Sequence, residues 1–169
     1  MMLDGIVIRD GKEVYKLDAL NEITASRGAV SKLVGFDVFC NGESSLSYRA
    51  DAMIVSTATG STAYAMAAGS PFIDPSLDVI CICPVCAYTL ALSRPIILNK
   101  DSLTEIKVHP SKDADIWING DGKAGFRLYE GDTIIIKRST LKLKLIRIKQ
   151  RTFYDTLSKK LIKGVNNEI

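Results

Sequence analysis

Ala52-Met53-Ile54-Val55-Ser56-Thr57-Ala58-Thr59-Gly60-Ser61-Thr62-Ala63-Tyr64-Ala65-Met66-Ala67-Ala68 decides how this chain is read. The first four residues are a continuous apolar run, which predicts a buried strand over 52–56. The last four predict a short helix. Between them, five of the seven residues from Ser56 to Thr62 carry hydroxyls and one is glycine. A strand, a polar turn and a helix start together offer backbone N–H groups and hydroxyls that donate and accept. Such a surface suits a ribose, an amide, a base edge or a phosphate. Ser and Thr ahead of a helix are also ordinary N-capping residues. Capping accounts for Ser61 or Thr62, but not for five hydroxyls in seven residues or for the tyrosine at the helix start. No Lys follows Gly60, so the turn is not a P-loop.

Outward from this stretch the chain alternates short β-like runs with Gly, Asn and Asp. Strands are expected at 2–9 and 13–17 around Asp10-Gly11, and at 33–40 and 44–49 around Asn41-Gly42; both pairs read as hairpins. Further strands are expected at 19–26, 79–83, 96–98, 103–108, 115–118 and 133–137. Leu141, Leu143, Leu145 and Ile146 interleave with Lys142, Lys144 and Arg147, and so predict a half-buried strand over 141–148 with a solvated face. Phe153, Leu157 and Leu161 recur at helical spacing and predict an amphipathic helix over 153–162. The expected fold is therefore mainly β with two helices: one domain over 1–163 and a frayed tail over 164–169.

The chain has 169 residues, 47% apolar and 24% charged, with a net charge of +3. That is ordinary globular composition, large enough for a core, and it points to no nucleic-acid partner. No apolar run approaches the ~18 residues of a spanning helix, so no membrane role is expected. The start has neither the basic residues nor the apolar core of a signal peptide. With four cysteines and no export signal, reduced thiols and a cytoplasmic location are expected. The chain opens almost directly into a strand, as a piece of a longer protein would.

Cys81, Cys83 and Cys86 lie close together, and Cys83-Pro84-Val85-Cys86 is a formal C-x-x-C. A second pair is missing, and Cys40 and His109 are remote, so no metal site is expected. Structural thiols in or beside a buried strand are preferred to a redox role. Asn21-Glu22 offers a carboxamide beside a carboxylate, suited to sugar hydroxyls and a base edge; its bland reading is an exposed pair at a strand edge. Arg49 and Asp51 face the same side of an extended chain, either as a surface ion pair or as contacts to a polar ligand. Asn119-Gly120-Asp121-Gly122-Lys123 is a turn whose Asp121 is placed to add a carboxylate at a site mouth.

Taken together, these motifs resemble the C-terminal domain of NAD kinases over nearly the whole chain. Asn21-Glu22 matches that family's Asn-Glu motif. Asp51 to Tyr64 matches its Asp-Gly followed by Thr-Pro-Thr-Gly-Ser-Thr-Ala-Tyr. Cys83-Pro84-Val85-Cys86 with Ser93-Arg94-Pro95-Ile96, and Phe153-Tyr154 through Lys160-Leu161, resemble its later segments. The resemblance implies a β-sandwich-like domain. It also implies transfer of a phosphoryl group from ATP or polyphosphate to the 2′-hydroxyl of the NAD adenosine, giving NADP, with Mg²⁺ or another divalent cation.

It further implies a homodimer or homotetramer whose neighbouring subunit completes the site. Asn21 and Glu22 would hold the adenosine, and Thr62, Ala63 and Tyr64 would line the same site with Ala67. Asp51, with Arg49 nearby, would reach NAD across a subunit interface, and Cys86 and Tyr88 would fall at the nicotinamide end. Departures from the pattern include Ala58 for Pro, Ala67 for a common Ser, Ser70 for Gly, and Ala87-Tyr88 for Pro-His. Asn119 to Lys123 departs from Asp-Gly-Gln. The family's Gly-Gly-Asp-Gly motif, whose Asp is the proposed base, is absent from this sequence, so no catalytic residue is expected here and the chain alone is not expected to turn over. The competing readings are a non-catalytic dinucleotide-binding or assembly β-sandwich module and a lipid-kinase-like phosphotransferase domain.

Overall fold

A computed structural model describes residues 1–29, 32–88, 93–110, 114–146, 148, 152–155 and 157–158, with the side chains of 44 and 45 excepted. Two six-stranded sheets form a sandwich. The strands are β1 (Leu3–Arg9), β2 (Lys12–Ala19), β3 (Glu22–Arg27), β4 (Val34–Cys40), β5 (Glu43–Ala50) and β6 (Ala52–Thr57). They continue with β7 (Val79–Val85), β8 (Ile96–Asn99), β9 (Thr104–His109), β10 (Ile116–Gly120), β11 (Phe126–Leu128) and β12 (Thr133–Arg138). One sheet runs β2-β1-β12-β9-β4-β5 and the other β11-β10-β3-β6-β7-β8, with every pairing antiparallel.

Alternation builds the core. Leu3 and Val7 on β1, Phe36 and Val38 on β4, Ile106 and Val108 on β9, and Ile134 and Ile136 on β12 turn inward from one sheet. Ile23, Ala25, Met53, Val55, Ile80, Ile82, Ile116 and Ile118 face them from the other. Every residue of β6 is buried. Its inner face meets the core, while Ile54 on its outer face packs against Ala65 and Cys83 beneath a helix α1 (Tyr64–Ala67). A central strand covered on both sides needs a continuous apolar run, which is what residues 52–55 supply.

The hairpin expectations hold. Asp10 and Gly11 take φ of 50° and 73°, and Asn41 and Gly42 take 56° and 75°. These are the paired left-handed residues of a two-residue hairpin turn. Asp121 and Gly122 repeat the pattern at 50° and 69° and lead into β11, a strand the sequence reading did not foresee.

The strand expected over 141–148 does not form. Residues 141–146 have no regular structure, and Leu141, Leu143, Leu145, Ile146 and Ile148 are all exposed. Alternation signals a half-buried strand only where a sheet edge accepts it, and no described strand pairs with this segment. Of the expected C-terminal helix, residues 153–155 and 157–158 are helical; its remainder and the tail lie outside the described residues. Among the described residues, no helix is long and apolar enough to cross a membrane.

Candidate functional site

The Asn21-Glu22 pair sits at the turn between β2 and β3, and both sides of that turn are held. On one side the Asp121 carboxylate accepts from the backbone N–H groups of Leu20 (2.7 Å), Asn21 (2.8 Å) and Glu22 (3.2 Å). The other side is held by Thr57, which gives its N–H to the Asn21 carbonyl at 2.9 Å and its hydroxyl to the Leu20 carbonyl at 2.8 Å. Gly60 lies so close that a Cβ there would overlap the Asn21 carbonyl oxygen.

Glu22 is not part of an exposed strand-edge pair, since only 7% of it is accessible. Burial pushes its pKa up, the Asp121 charge adds to that, and a hydrogen bond from the Tyr64 N–H opposes it. Its Oε2 is buried with no hydrogen-bond partner. A buried acceptor left open beside a turn of this kind is where a ligand hydroxyl or amine gains most.

The hydroxyl-rich turn divides its duties. Ser56, Thr57 and Ser61 are buried. Thr57 Oγ1 accepts from the Gly60 N–H at 3.0 Å, while Ser61 Oγ donates to the Ala58 carbonyl at 2.8 Å and accepts from the Ile73 N–H at 3.1 Å. The expectation that Ser61 or Thr62 caps the helix is therefore corrected. Thr59–Thr62 form a single 3-10 turn, α1 has only four residues, and neither has a side-chain cap. A helix this short adds little dipole. The outward groups are Thr62, Tyr64 and Ala67, with Ala63 half-buried between them. Tyr64 is half exposed, and Thr62 Oγ1 donates to the Thr59 carbonyl at 3.3 Å, keeping its acceptor capacity.

Arg49, Asp51, Cys86 and Tyr88 gather elsewhere. β3 and β6 run antiparallel, pairing Glu22 with Ser56 at one end and Ser26 with Ala52 at the other. Four residue steps separate those pairs, roughly 14 Å of strand. Asp51 therefore lies at the far end from Glu22, where it pairs with Arg27 at 2.6 Å rather than with Arg49. Arg27 has no counterpart in the motifs and carries no sequence signal. The Tyr88 N–H bonds to the Arg49 carbonyl at 2.8 Å, and Cys86 is exposed with φ of 50°.

The C-x-x-C pair is split. Cys83 is buried under α1 with its sulfur 3.8 Å from the Ala68 carbonyl, while Cys86 faces solvent. Cys81, buried on the same face as Cys83, lies 3.6 Å from the Ser70 hydroxyl. None of the four cysteines forms a disulfide.

Residues 20–148 match the family model described as the ATP-NAD kinase C-terminal domain. The NAD kinase of Desulforamulus reducens is 40% identical over 161 residues, covering 95% of this chain and 55% of that protein. That of Acetivibrio thermocellus is 35% identical, with the same coverage of both chains. The chain thus spans about 55% of the length of these curated relatives.

Among solved structures, yeast NADH kinase complexed with NADH superposes with a TM-score of 0.73 at 30% identity, covering 80% of this chain and 39% of that one. An NAD kinase from Archaeoglobus fulgidus in complex with ATP shares the fold, with a TM-score of 0.65 at 23% identity over 82% of this chain and 51% of that one. With a family model matching well over half of its residues, this chain belongs to the NAD kinase family and carries the C-terminal domain of that family.

Proposed function

We propose that residues 1–163 are the NAD-binding and oligomerising domain of an enzyme that phosphorylates the 2′-hydroxyl of the NAD adenosine to give NADP. ATP or polyphosphate would be the donor. The observation that carries this reading is the open, buried Oε2 of Glu22, set beside Asn21 and the start of α1. Glu22 accepts from sugar hydroxyls, the Asn21 carboxamide takes a base edge or hydroxyl, and Thr62, Ala63, Tyr64 and Ala67 form the adjoining wall. This holds and orients the substrate, which converts a bimolecular encounter into a positioned one.

The base that takes the ribose proton is not among these residues. The resemblance assigns that part to the Asp of a Gly-Gly-Asp-Gly motif, which this sequence lacks. Among the described residues, no group of three or more His, Cys, Asp or Glu side chains can hold a metal ion. A divalent cation would belong with the donor's phosphates, whose charge it neutralises. Asp51, with Arg49 nearby, reaches NAD across a subunit interface in a homo-oligomer, and Cys86 and Tyr88 fall at the nicotinamide end.

Calorimetric titration of the chain with NAD and NADP tests the reading. Tyr64→Ala and Glu22→Gln are expected to weaken NAD binding while the melting temperature stays within a few degrees. Unchanged affinity in both variants removes those residues from the site. Phosphorylation of NAD by the purified chain at an ordinary rate would overturn the division of labour.

A further inference from the structure

From the convergence of three backbone N–H groups on one carboxylate, we infer that Asp121 is the positioning residue of the nucleotide site, acting through Asn21 and Glu22. This rests on the reading of those two residues as substrate contacts.

The Leu20-Asn21 turn and the first residue of β3 leave the successive N–H groups of residues 20, 21 and 22 aimed at one carboxylate. Such a row is an anion-binding concavity, and here a side chain of the protein fills it. Asp121 Oδ2 takes the Leu20 N–H, and Oδ1 takes those of Asn21 and Glu22. The exchange is reciprocal, because the Asp121 N–H donates to the Glu22 carbonyl at 3.1 Å. Thr57 and Gly60 close the opposite side, so the turn has no room to rotate.

Asp121 reaches this position from the turn after β10, where it adopts a left-handed φ of 50° beside Gly122. β10 pairs with β3 from Ile116↔Arg27 to Gly120↔Ile23, and that register delivers the turn to the Glu22 end of the sheet. Three of the carboxylate's roughly four acceptor sites are thus taken by the turn, both of those on Oδ1 among them. Asp121 thus differs from Glu22, whose Oε2 is buried without a partner. Only an ionised carboxylate offers acceptors on both oxygens; an amide of the same shape turns a donor toward one of the N–H groups.

The test uses the 169-residue chain with Asp121→Asn and Asp121→Ala. Amide hydrogen exchange by NMR reads the clamp without any ligand. Leu20, Asn21 and Glu22 are expected to lose protection in Asp121→Ala, while Ala25 and Met53 in the sheet keep theirs. NAD titration reads the consequence: affinity falls about 10-fold or more in Asp121→Ala, with Asp121→Asn between it and the parent. The pH profile separates positioning from simple support. Because the Asp121 charge helps hold the Glu22 pKa up, the acid midpoint of NAD binding moves to lower pH in Asp121→Asn.

Lost protection with unchanged affinity, or an unmoved acid midpoint, overturns the inference while the substrate reading stands. A parent chain whose NAD affinity ignores Glu22→Gln and Tyr64→Ala overturns the substrate reading, and this inference with it. Retained protection at residues 20–22 in Asp121→Ala overturns the clamp itself.

Discussion

Gly60→Ala should unseat the Asn21-Glu22 turn and destabilise the fold together. A Cβ at residue 60 would overlap the Asn21 carbonyl oxygen and stand 2.5 Å from its carbonyl carbon and 2.8 Å from its Cα. Carbon atoms rest about 3.5–4.0 Å apart, so the two backbone segments must part by about 1 Å. All three crowded atoms are backbone, and no side-chain rotation relieves them. Parting them weakens the Thr57 N–H to Asn21 bond at 2.9 Å and the Thr57 hydroxyl to Leu20 bond at 2.8 Å.

Each such bond contributes about 1 kcal/mol net, more when a buried group loses its partner. Overpacking adds about 1–3 kcal/mol. The expected cost is therefore at least about 3 kcal/mol, a fall of roughly 6–12 °C in melting temperature for a chain of this size. Gly42→Ala is the control. It meets open space and only the strain of its positive φ, about 1–2 kcal/mol. Calorimetric melts and NAD titration of both variants decide the matter. A Gly60→Ala chain that melts within about 2 °C of the parent and binds NAD equally well refutes the close-approach argument.

Glu22→Gln should leave the chain no less stable at pH 7.5, and somewhat more so, even as NAD binding weakens. A carboxyl whose folded pKa is raised makes the native state the stronger proton binder. Its charge therefore costs stability as pH climbs from the unfolded value through the folded one, and the amide removes that cost. Denaturant titrations at pH 4.5 and 7.5 should show the variant's advantage only at the higher pH. His109→Ala should cost most at intermediate acidity. His109 Nδ1 lies 3.1 Å from Glu130 and Nε2 lies 2.9 Å from Asp37, and these raise its pKa against a partial desolvation. That stabilisation is complete below the ordinary histidine pKa and fades as pH rises through the raised one. The Asp37 carboxyl is held low by Ser47 first and then by His109, so the pair weakens again in strong acid. Urea melts at pH 3, 6 and 9 should give the largest difference at pH 6. Leu143→Lys with Leu145→Lys should leave the melting temperature unchanged, since both leucines are exposed and neither joins the core; a fall of several degrees would show that the segment packs onto the domain.

Most of the strand order was legible because it is written in local chemistry. Asp10-Gly11 and Asn41-Gly42 name their own turns, and the continuous run at 52–55 marks the doubly covered strand. What failed was whatever depends on a distant neighbour. The leucines at 141, 143 and 145 alternate as well as those of any strand, but alternation does not say whether an edge is available. β11 is three residues long, too short to stand out from a turn. Three of the five hydroxyls in the central turn went inward, and two of them, Thr57 and Ser61, satisfy backbone groups there.

The site residues illustrate the same limit more sharply. By sequence, Asp51 is nearer to Tyr64 than Glu22 is, yet Glu22 is the residue that receives the Tyr64 N–H. Antiparallel register inverts sequence proximity: pairing residue 22 with 56 necessarily sends residues 27 and 51 to the opposite end. The family positions therefore divide by strand register into two groups. Asn21, Glu22 and Tyr64 stand at one end, and Arg49, Asp51, Cys86 and Tyr88 at the other. Roughly 14 Å of strand separates Glu22 from the Arg27-Asp51 pair. One nucleotide served by both groups would have to bridge that length of sheet, or take the second group from another copy of the chain.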